Sequence, residues 1–380
     1  MGQPNNYGFE EEAAYLKESA RRFFGDKLPI NELHGLVAGD PNPESQANVP
    51  WPKELWGQMV ELGWPSLLAP ESCGGVGMPW VAVAALLEEN GRAACPSPLL
   101  SSLQSTAVLK ACGDAGNAAM TELAVGRAAT IACLDESASL HGQSVHLKDG
   151  KLEGSAHFVQ DAGKAERFLV LARVLAGEDD SAPSESDSLA LCWVHADAEG
   201  LSLCRNAIVD LTRDQARVDF SGVAAQVVLQ DAAAAWQSAL PALWVLASAD
   251  MVGAAEWQLQ TTVEYAQQRK QFDRPLGFFQ AVKHDLVNVM IAIDESKSLL
   301  YSAACALDWE PERAVQSAHM VKASATDTAA LASGRSVQCH GGIGFTWECY
   351  LHLYFKRQEH SQRLWGDAAW HRSQLAEILI

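Results

Sequence analysis

The sequence predicts an α+β fold in three parts: an N-terminal α-helical domain (residues 1–127), a small middle β-domain (residues 128–231) and a C-terminal four-helix bundle (residues 232–380). Apolar residues recur at helical spacing in the first and last parts, whereas the middle part contains short apolar runs separated by turn residues. A chain of 380 residues is also too long for a single core. These three observations together favour several subdomains over one.

The first part is predicted to be all-helical. Residues 9–24 carry apolar side chains at helical spacing, with acidic residues in the first turn and basic residues in the last, as the helix dipole favours. Trp51 and Pro52 open a second helix that Gly63 ends. Further helices are predicted over residues 81–90, where Gly91 is expected to end the helix, and over 99–112 and 117–123.

The middle part is predicted to be a β-sheet. Buried strands are expected over residues 129–134, 167–172, 189–194, 216–220 and 225–229. Asp149 and Gly150 form a hairpin-turn signal between alternating apolar residues. The acidic, Ser-rich segment 178–188 is expected to be an exposed loop. From residue 232 onward, long apolar stripes with short connections predict a helix bundle.

Composition narrows the class of partner and the compartment. The formal charge of −19 disfavours nucleic acids and anionic membranes as partners, because both are negatively charged. The nine cysteines are scattered and form no CxxC pair, which is typical of buried thiols in a reducing compartment and predicts neither disulfides nor a metal site. No signal peptide and no apolar run of transmembrane length is recognised, so a cytoplasmic protein is expected.

Two stretches of the last part have residues that suit a ligand. The first runs from Arg335 to Gly344 and places Gln338 just before Gly341 and Gly342. Adjacent glycines allow a close backbone approach, and an amide beside exposed backbone suits a ribose, pyrophosphate or carboxamide group. An ordinary helix C-cap followed by a loop explains the same residues.

The second stretch runs from Arg269 to Gln280 and lies between two predicted helices. Its three cations and its aromatic residue could bind a pyrophosphate and stack on a ring. Taken locally, it is also explained as the basic end of a helix followed by a Pro-Gly turn.

The two stretches together resemble the acyl-CoA dehydrogenase family of flavoproteins. The shared pattern is Arg-Lys-X-Phe-X-X-Pro-hydrophobic-Gly-X-X-Gln, followed later in the chain by Gln-X-X-Gly-Gly-X-Gly-Phe. The α-β-α order, the loop at residues 70–77 and the segment 87–92 resemble that family as well. The resemblance covers essentially the whole chain, with the most specific motifs in the last part. It implies dehydrogenation of an acyl-CoA thioester with FAD as the cofactor and electron-transfer flavoprotein as the electron acceptor.

The resemblance also implies roles for individual residues. Arg269, Phe272 and Gln280 match positions that reach an FAD bound mainly by a neighbouring subunit. In the family, the adenosine and pyrophosphate portion of FAD is contacted from positions that match Gln338, Gly341 and Gly342 here.

In the middle domain, Phe158 lies where the family usually has a tryptophan over the flavin, and Gln160 where a threonine usually hydrogen-bonds it. An aromatic and a hydrogen-bonding side chain are therefore retained at these two positions, although the residue types differ from those of the family.

The family's catalytic base is missing from its usual positions. The chemistry needs a carboxylate that removes the α-proton of the thioester. The two positions at which family members carry this glutamate are Trp365 and Leu243 here, and both are apolar. Asp367 is the nearest carboxylate and is the candidate base, with a helix-capping or solvent-facing acid as the alternative.

Two classes of function therefore compete. The chain is either a catalytic acyl-CoA dehydrogenase with an atypical base, or a base-deficient subunit that shares FAD with a Glu-bearing dehydrogenase in an α2β2 tetramer. The segments 346–348 and 364–369 resemble subunits of such heteromeric enzymes that degrade steroid side chains. A homo-oligomer and a cofactor-free helical scaffold are the remaining alternatives.

Overall fold

The computed structural model describes residues 4–38, 51–139, 144–175 and 188–380, and begins with helices. The helices of this first part are α1 (Glu11–Lys27), α2 (Ile30–Ala38), α3 (Lys53–Glu61), α4 (Trp80–Arg92), α5 (Leu99–Ala111) and α6 (Asn117–Ala124). All the predicted helices are present, and α2 is an additional one. Helices α4 and α5 are buried on nearly every face, which explains why their sequences lack a polar stripe.

The middle part is a mixed sheet of eight strands. They are β1 (Ala129–Ala132), β2 (Val145–Lys148), β3 (Lys151–Gln160), β4 (Arg167–Val174), β5 (Leu189–His195), β6 (Leu201–Arg205), β7 (Gln215–Ala224) and β8 (Gln226–Leu229). The strand order is β6-β7-β3-β2-β4-β5-β8, and β1 pairs with β4 in parallel. Asp149 and Gly150 join β2 to β3 with φ values of 50° and 74°, as a tight hairpin turn requires.

Strand β6 was not predicted, because its side chains are mostly exposed and carry no buried stripe. Most of the predicted loop at residues 178–188 lies outside the described residues. The first helical part ends at Ala124, and α7 follows β8 after Leu229. The predicted domain boundaries near residues 127 and 231 fall in these connections and stay predictions.

The last part is a bundle of long helices, as predicted. It contains α7 (Ala233–Gln268), α8 (Gln280–Trp309), α9 (Pro311–His340), α10 (Leu351–Ser361) and α11 (Ala368–Leu379). Helix α9 packs against the four others, and α10 and α11 together take the fourth position of the bundle. A short hairpin, β9 (Lys270–Gln271) with β10 (Arg274–Pro275), connects α7 to α8.

Helices α4 and α7 cross in direct backbone contact. A Cβ atom on Gly253 would lie 1.8 Å from the carbonyl oxygen of Glu88, and one on Gly91 would lie 1.9 Å from that of Asp250. Only glycine fits at such a distance. The prediction that Gly91 ends the helix is therefore wrong: α4 continues to Arg92, and Gly91 is needed for the crossing.

Helix α7 has the length and apolarity of a membrane-spanning helix. Its most apolar window has a mean hydropathy of 1.4, so the expectation that no apolar run reaches such a length is wrong on composition alone. However, 94% of that window is buried inside the protein. Core helices of water-soluble proteins have the same property, and the burial accounts for the composition of α7 without a membrane.

Candidate functional site

A cavity of about 460 Å³ lies between the sheet, helix α5 and the connection from α10 to α11. Its polar lining comes from Gln104, Thr130, Ser139, His157, Gln160, Gln215, His360 and Arg363. Three aromatic side chains, Phe158, Trp365 and Trp370, also line it. Among the described residues of this lining there is no aspartate or glutamate. The cavity can therefore stack a planar group and donate hydrogen bonds, but its described lining offers no carboxylate as a proton acceptor.

The structure brings Phe158 and Gln160 together in the cavity wall. Both lie near the end of β3, where the pairing with β7 is irregular between Ala156 and Val159. Phe158 takes a left-handed conformation there, with φ of 54°, which is strained for an aromatic residue. Such strain persists only where the surroundings fix the conformation, and it often marks a functional site. The predicted flavin contacts of these two residues are compatible with their positions and stay predictions.

Trp365 also lines the cavity, in the turn between α10 and α11. Trp365 and Gly366 have positive φ values of 61° and 95°. Lys322 Nζ donates to the carbonyl oxygen of Gly366 over 2.9 Å, and His371 Nε2 lies 3.1 Å from that of Trp365. These bonds from α9 and α11 hold the strained turn in place. An indole ring is thus fixed in the wall at the position predicted from the sequence to correspond to the glutamate of many family members.

The groups that hold this turn are buried and depart from their usual ionisation. Burial lowers the pKa of Lys322 to about 7, although the charge of Asp367 opposes the shift. Burial also lowers the pKa of His371 to about 3 and that of His319 to about 4. The two rings face each other through their Nδ1 atoms at 2.8 Å. Because His371 Nε2 must donate to a carbonyl oxygen, His371 Nδ1 accepts and His319 Nδ1 donates.

Asp367 caps helix α11. Its Oδ1 accepts a hydrogen bond from the backbone N–H of Trp370 over 2.8 Å, which is the usual role of aspartate before a helix. Its side chain is exposed, and it is not among the residues that line the cavity. The structure thus gives Asp367 the alternative role considered from the sequence, and its role as a base stays a prediction.

Leu243, at the second position of the family glutamate, is fully buried in α7. Its backbone oxygen accepts a hydrogen bond from Gln104 Nε2 over 3.1 Å. Since Gln104 lines the cavity, α7 stands directly behind that wall, but the Leu243 side chain is not part of the lining.

The remaining predicted flavin contacts form a second, separate group on the surface of the bundle. Tyr265 in α7 stacks on His340 in α9 with ring centroids 4.1 Å apart, so the ends of α7 and α9 lie side by side. The two sequence motifs begin at these ends. Their predicted ligand residues are all exposed: Arg269, Phe272, Gln280, Gln338, Gly341 and Gly342.

Two of these surface residues have special backbone conformations. Phe272 is 85% exposed at the tip of the β9–β10 hairpin, with φ of 53°. Gly341 follows α9 with φ of 66°, and the space beside it is open, so a ligand could approach its backbone. No residue of this group lines the described part of the cavity. One chain therefore presents two separate sets of predicted flavin contacts.

Several residues of the site could not be found from the sequence. A buried ionic network joins the three parts of the chain near the cavity: Asp250 in α7 pairs with Arg357 in α10 at 2.6 Å and with Arg213 at 2.5 Å. Asn90 in α4 donates to the same carboxylate over 3.0 Å. Burial would raise the pKa of Asp250, but the two guanidinium groups outweigh it and lower that pKa. No local pattern signals this network, because its members come from distant segments.

Comparisons with known proteins agree with the fold and the motifs. Residues 10–130 match the family model "Acyl-CoA dehydrogenase, N-terminal domain" and residues 235–380 match "Acyl-CoA dehydrogenase, C-terminal domain". The chain is 29% identical to acyl-CoA dehydrogenase IpdE2 of Mycobacterium tuberculosis, with 82% of each chain covered.

Solved structures of the same fold include a variant of the Tcur3481-Tcur3483 steroid ACAD, at 25% identity and a TM-score of 0.84, with 97% of this chain and 98% of that chain covered. The ChsE4-ChsE5 complex from Mycobacterium tuberculosis has the same fold at 23% identity and a TM-score of 0.82, with 98% of both chains covered. The two domain models and the relatives that span nearly its full length establish that this chain belongs to the acyl-CoA dehydrogenase family.

Proposed function

We propose that this chain is an FAD-binding subunit of a heteromeric acyl-CoA dehydrogenase, in which a Glu-bearing partner subunit supplies the general base. The substrate is a bulky acyl-CoA thioester, such as one with a steroid side chain, which is dehydrogenated between its α and β carbons. Electron-transfer flavoprotein is the expected electron acceptor. Two solved structures of the same fold support this proposal. The Tcur3481-Tcur3483 structure is of a steroid ACAD, which supports the substrate class, and the ChsE4-ChsE5 structure is of a two-protein complex, which supports the heteromeric form.

The lining of the cavity is the observation that carries this proposal. Abstraction of an α-proton needs a positioned acceptor, which typically contributes about 10²–10⁴-fold to the rate. Trp365 cannot accept a proton, and the described lining residues include no carboxylate. Asp367 is the nearest candidate, but its carboxylate is exposed and engaged in capping α11. The chain thus keeps residues suited to the flavin without the base.

The residues present fit a flavin. Bound FAD supplies the acceptor for the substrate's hydride. Phe158 provides an aromatic face, and Gln160 provides an amide N–H in the same cavity wall. On the surface, Arg269 is exposed after the end of α7, and the backbone of Gly341 is open after the end of α9; a cation and an open backbone suit the pyrophosphate portion.

Because the two sets of flavin contacts are separate within one chain, each is expected to complete its site with a second subunit. Large apolar side chains are exposed near the second set: Phe272 is 85% exposed and Phe278 is 55% exposed, and Val287, Met290 and Ile291 of α8 are each about 45% exposed. Exposed apolar side chains of this size favour an interface with another subunit. We therefore expect this surface to be buried against another subunit, either in an α2β2 tetramer or in a homo-oligomer.

The negative net charge of the chain affects how it can bind a CoA thioester. A CoA thioester carries several phosphates, so a chain with a charge of −19 must bind it through local cations. Arg363 is exposed at the cavity and is one such group. Nucleic acids and membranes are not expected as partners, and the cytoplasm is the expected compartment.

The decisive experiment is a paired assay with an artificial electron acceptor. We expect FAD absorption and turnover of a bulky acyl-CoA when the chain is purified with its partner, and little or no turnover by the chain alone. The Asp367→Asn variant of the complex is expected to remain active. Robust turnover by the isolated chain that disappears in Asp367→Asn would instead make Asp367 the base. A complex without flavin absorption would favour a cofactor-free scaffold.

A further inference from the structure

One side-chain hydrogen bond joins the bundle to the sheet across the cavity wall. His360 in α10 and Gln160 in β3 both line the cavity, and His360 Nε2 lies 3.0 Å from Gln160 Oε1. The two residues are 200 positions apart in the sequence. Gln160 is also the residue that stands where the family usually places a hydrogen-bonding threonine. The contact therefore ties a predicted flavin contact to a residue that no motif contains.

The surroundings of Gln160 fix which way its amide points. The other end of the amide lies 3.0 Å from the carbonyl oxygen of Phe158. A carbonyl oxygen only accepts, so the amide nitrogen must face Phe158 and the amide oxygen must face His360. An amide oxygen likewise only accepts, so His360 must carry its hydrogen on Nε2. The geometry determines both the orientation of Gln160 and the tautomer of His360.

The imidazole of His360 is itself held in place and kept neutral. Burial lowers the pKa of His360 to about 4, and the charges of Arg213 and Arg357 act in the same direction, against Asp210 and Asp161. The next residue, Ser361, accepts a hydrogen bond from Arg213 over 3.2 Å. Arg213 belongs to the buried ionic network around Asp250. The end of α10 is therefore anchored independently of any ligand.

The side-chain amide nitrogen of Gln160 has two hydrogens, and one of them is engaged in the hydrogen bond to Phe158. Within the described part of the chain, Gln160 Nε2 donates to Phe158 alone. Gln160 lines the cavity, so its second N–H is available to a molecule bound there. We propose that His360 is a positioning residue that locks the Gln160 amide so that its free N–H donates to an acceptor atom on the edge of the isoalloxazine ring of FAD. This inference rests on the proposed function.

The consequence is electrostatic as well as geometric. A donor fixed on a carbonyl oxygen of the ring, which gains electron density on reduction, stabilises the reduced form of the flavin. Loss of His360 leaves the Gln160 amide held only by its bond to the carbonyl oxygen of Phe158, so the donor is held less firmly. Both a weaker affinity for FAD and a more negative midpoint potential are expected. The net value of one neutral hydrogen bond corresponds to a loss of about three- to tenfold in FAD affinity.

A double-mutant cycle on the FAD-loaded complex separates positioning from a merely structural role. We expect His360→Phe and Gln160→Met to weaken FAD binding by similar factors and to shift the potential in the same direction. The double variant should be no worse than Gln160→Met, because His360 acts through Gln160. His360→Gln retains an N–H donor and should recover part of both losses. His352→Phe removes a histidine of the same helix that is 2% exposed and lies outside the cavity lining, and it should change neither readout.

The results that would overturn the role of His360 differ from those that would overturn the proposed function. Unchanged FAD affinity and potential in His360→Phe, or an effect that adds fully to that of Gln160→Met, would overturn the role of His360 while leaving the proposed function intact. If His360→Phe does not fold, as judged by circular dichroism, His360→Ala, which also removes the donor, replaces it in the same cycle. Absence of FAD from the wild-type complex would overturn the proposed function and this inference together.

Discussion

Replacement of Gly253 by alanine tests the close crossing of α4 and α7. The new Cβ would lie 1.8 Å from the carbonyl oxygen of Glu88, where real contacts of this kind stay above 3.0 Å. The two helix backbones must therefore separate by more than an ångström, which also strains the hydrogen bond from Asn90 to Asp250. Overpacking of this kind costs about 1–3 kcal/mol. The better helix propensity of alanine offsets only about 1 kcal/mol.

Equilibrium unfolding in urea, followed by circular dichroism, measures this change. We expect Gly253→Ala to destabilise the chain by up to about 2 kcal/mol, or to prevent folding, because a backbone contact cannot be relieved by a rotamer change. Gly334→Ala is the matched control: Gly334 is exposed within α9, and nothing lies within 4 Å of its added Cβ. This variant should be more stable by up to about 1 kcal/mol. Equal or greater stability of Gly253→Ala relative to wild type would refute the crossing geometry.

Two further predictions concern buried ionisable groups. Asp250→Asn leaves Arg213 and Arg357 buried without their carboxylate. A loss of about 3–5 kcal/mol in the free energy of unfolding is therefore expected. A thermal midpoint unchanged from wild type would contradict this prediction. Acidification from pH 7 to pH 4 should also destabilise the chain: burial lowers the pKa of His319, His352 and His360 from 6.5 to about 4, so the unfolded chain binds more protons in this window. Thermal midpoints that stay constant between pH 6.5 and pH 4 would show that these imidazoles are not buried as described.

The sequence alone determined the class of fold and the family. Apolar periodicity depends only on neighbours within a helix or strand, so the α-β-α order and most element positions could be predicted locally. The two motifs around Arg269 and Gly341 are contiguous, and their resemblance to a family could be recognised without any structure. The prediction that the base is missing rests on the same kind of pattern, because Trp365 stands at a fixed distance in the sequence from the Gly-Gly pair. Helix α2 and strand β6 were missed because the local patterns there are weak.

Tertiary structure alone decided how distant residues combine at the cavity. Gly91 was expected to end a helix, but it serves a crossing with α7 that no local pattern reveals. Asp367 was the nearest carboxylate in the chain, yet the backbone turns it toward the start of α11. His360 meets Gln160 only because α10 packs against the sheet. Hydrogen bonds and ion pairs depend on positions in space to within a fraction of an ångström, and such positions are set by the packing of the whole chain rather than by any one segment.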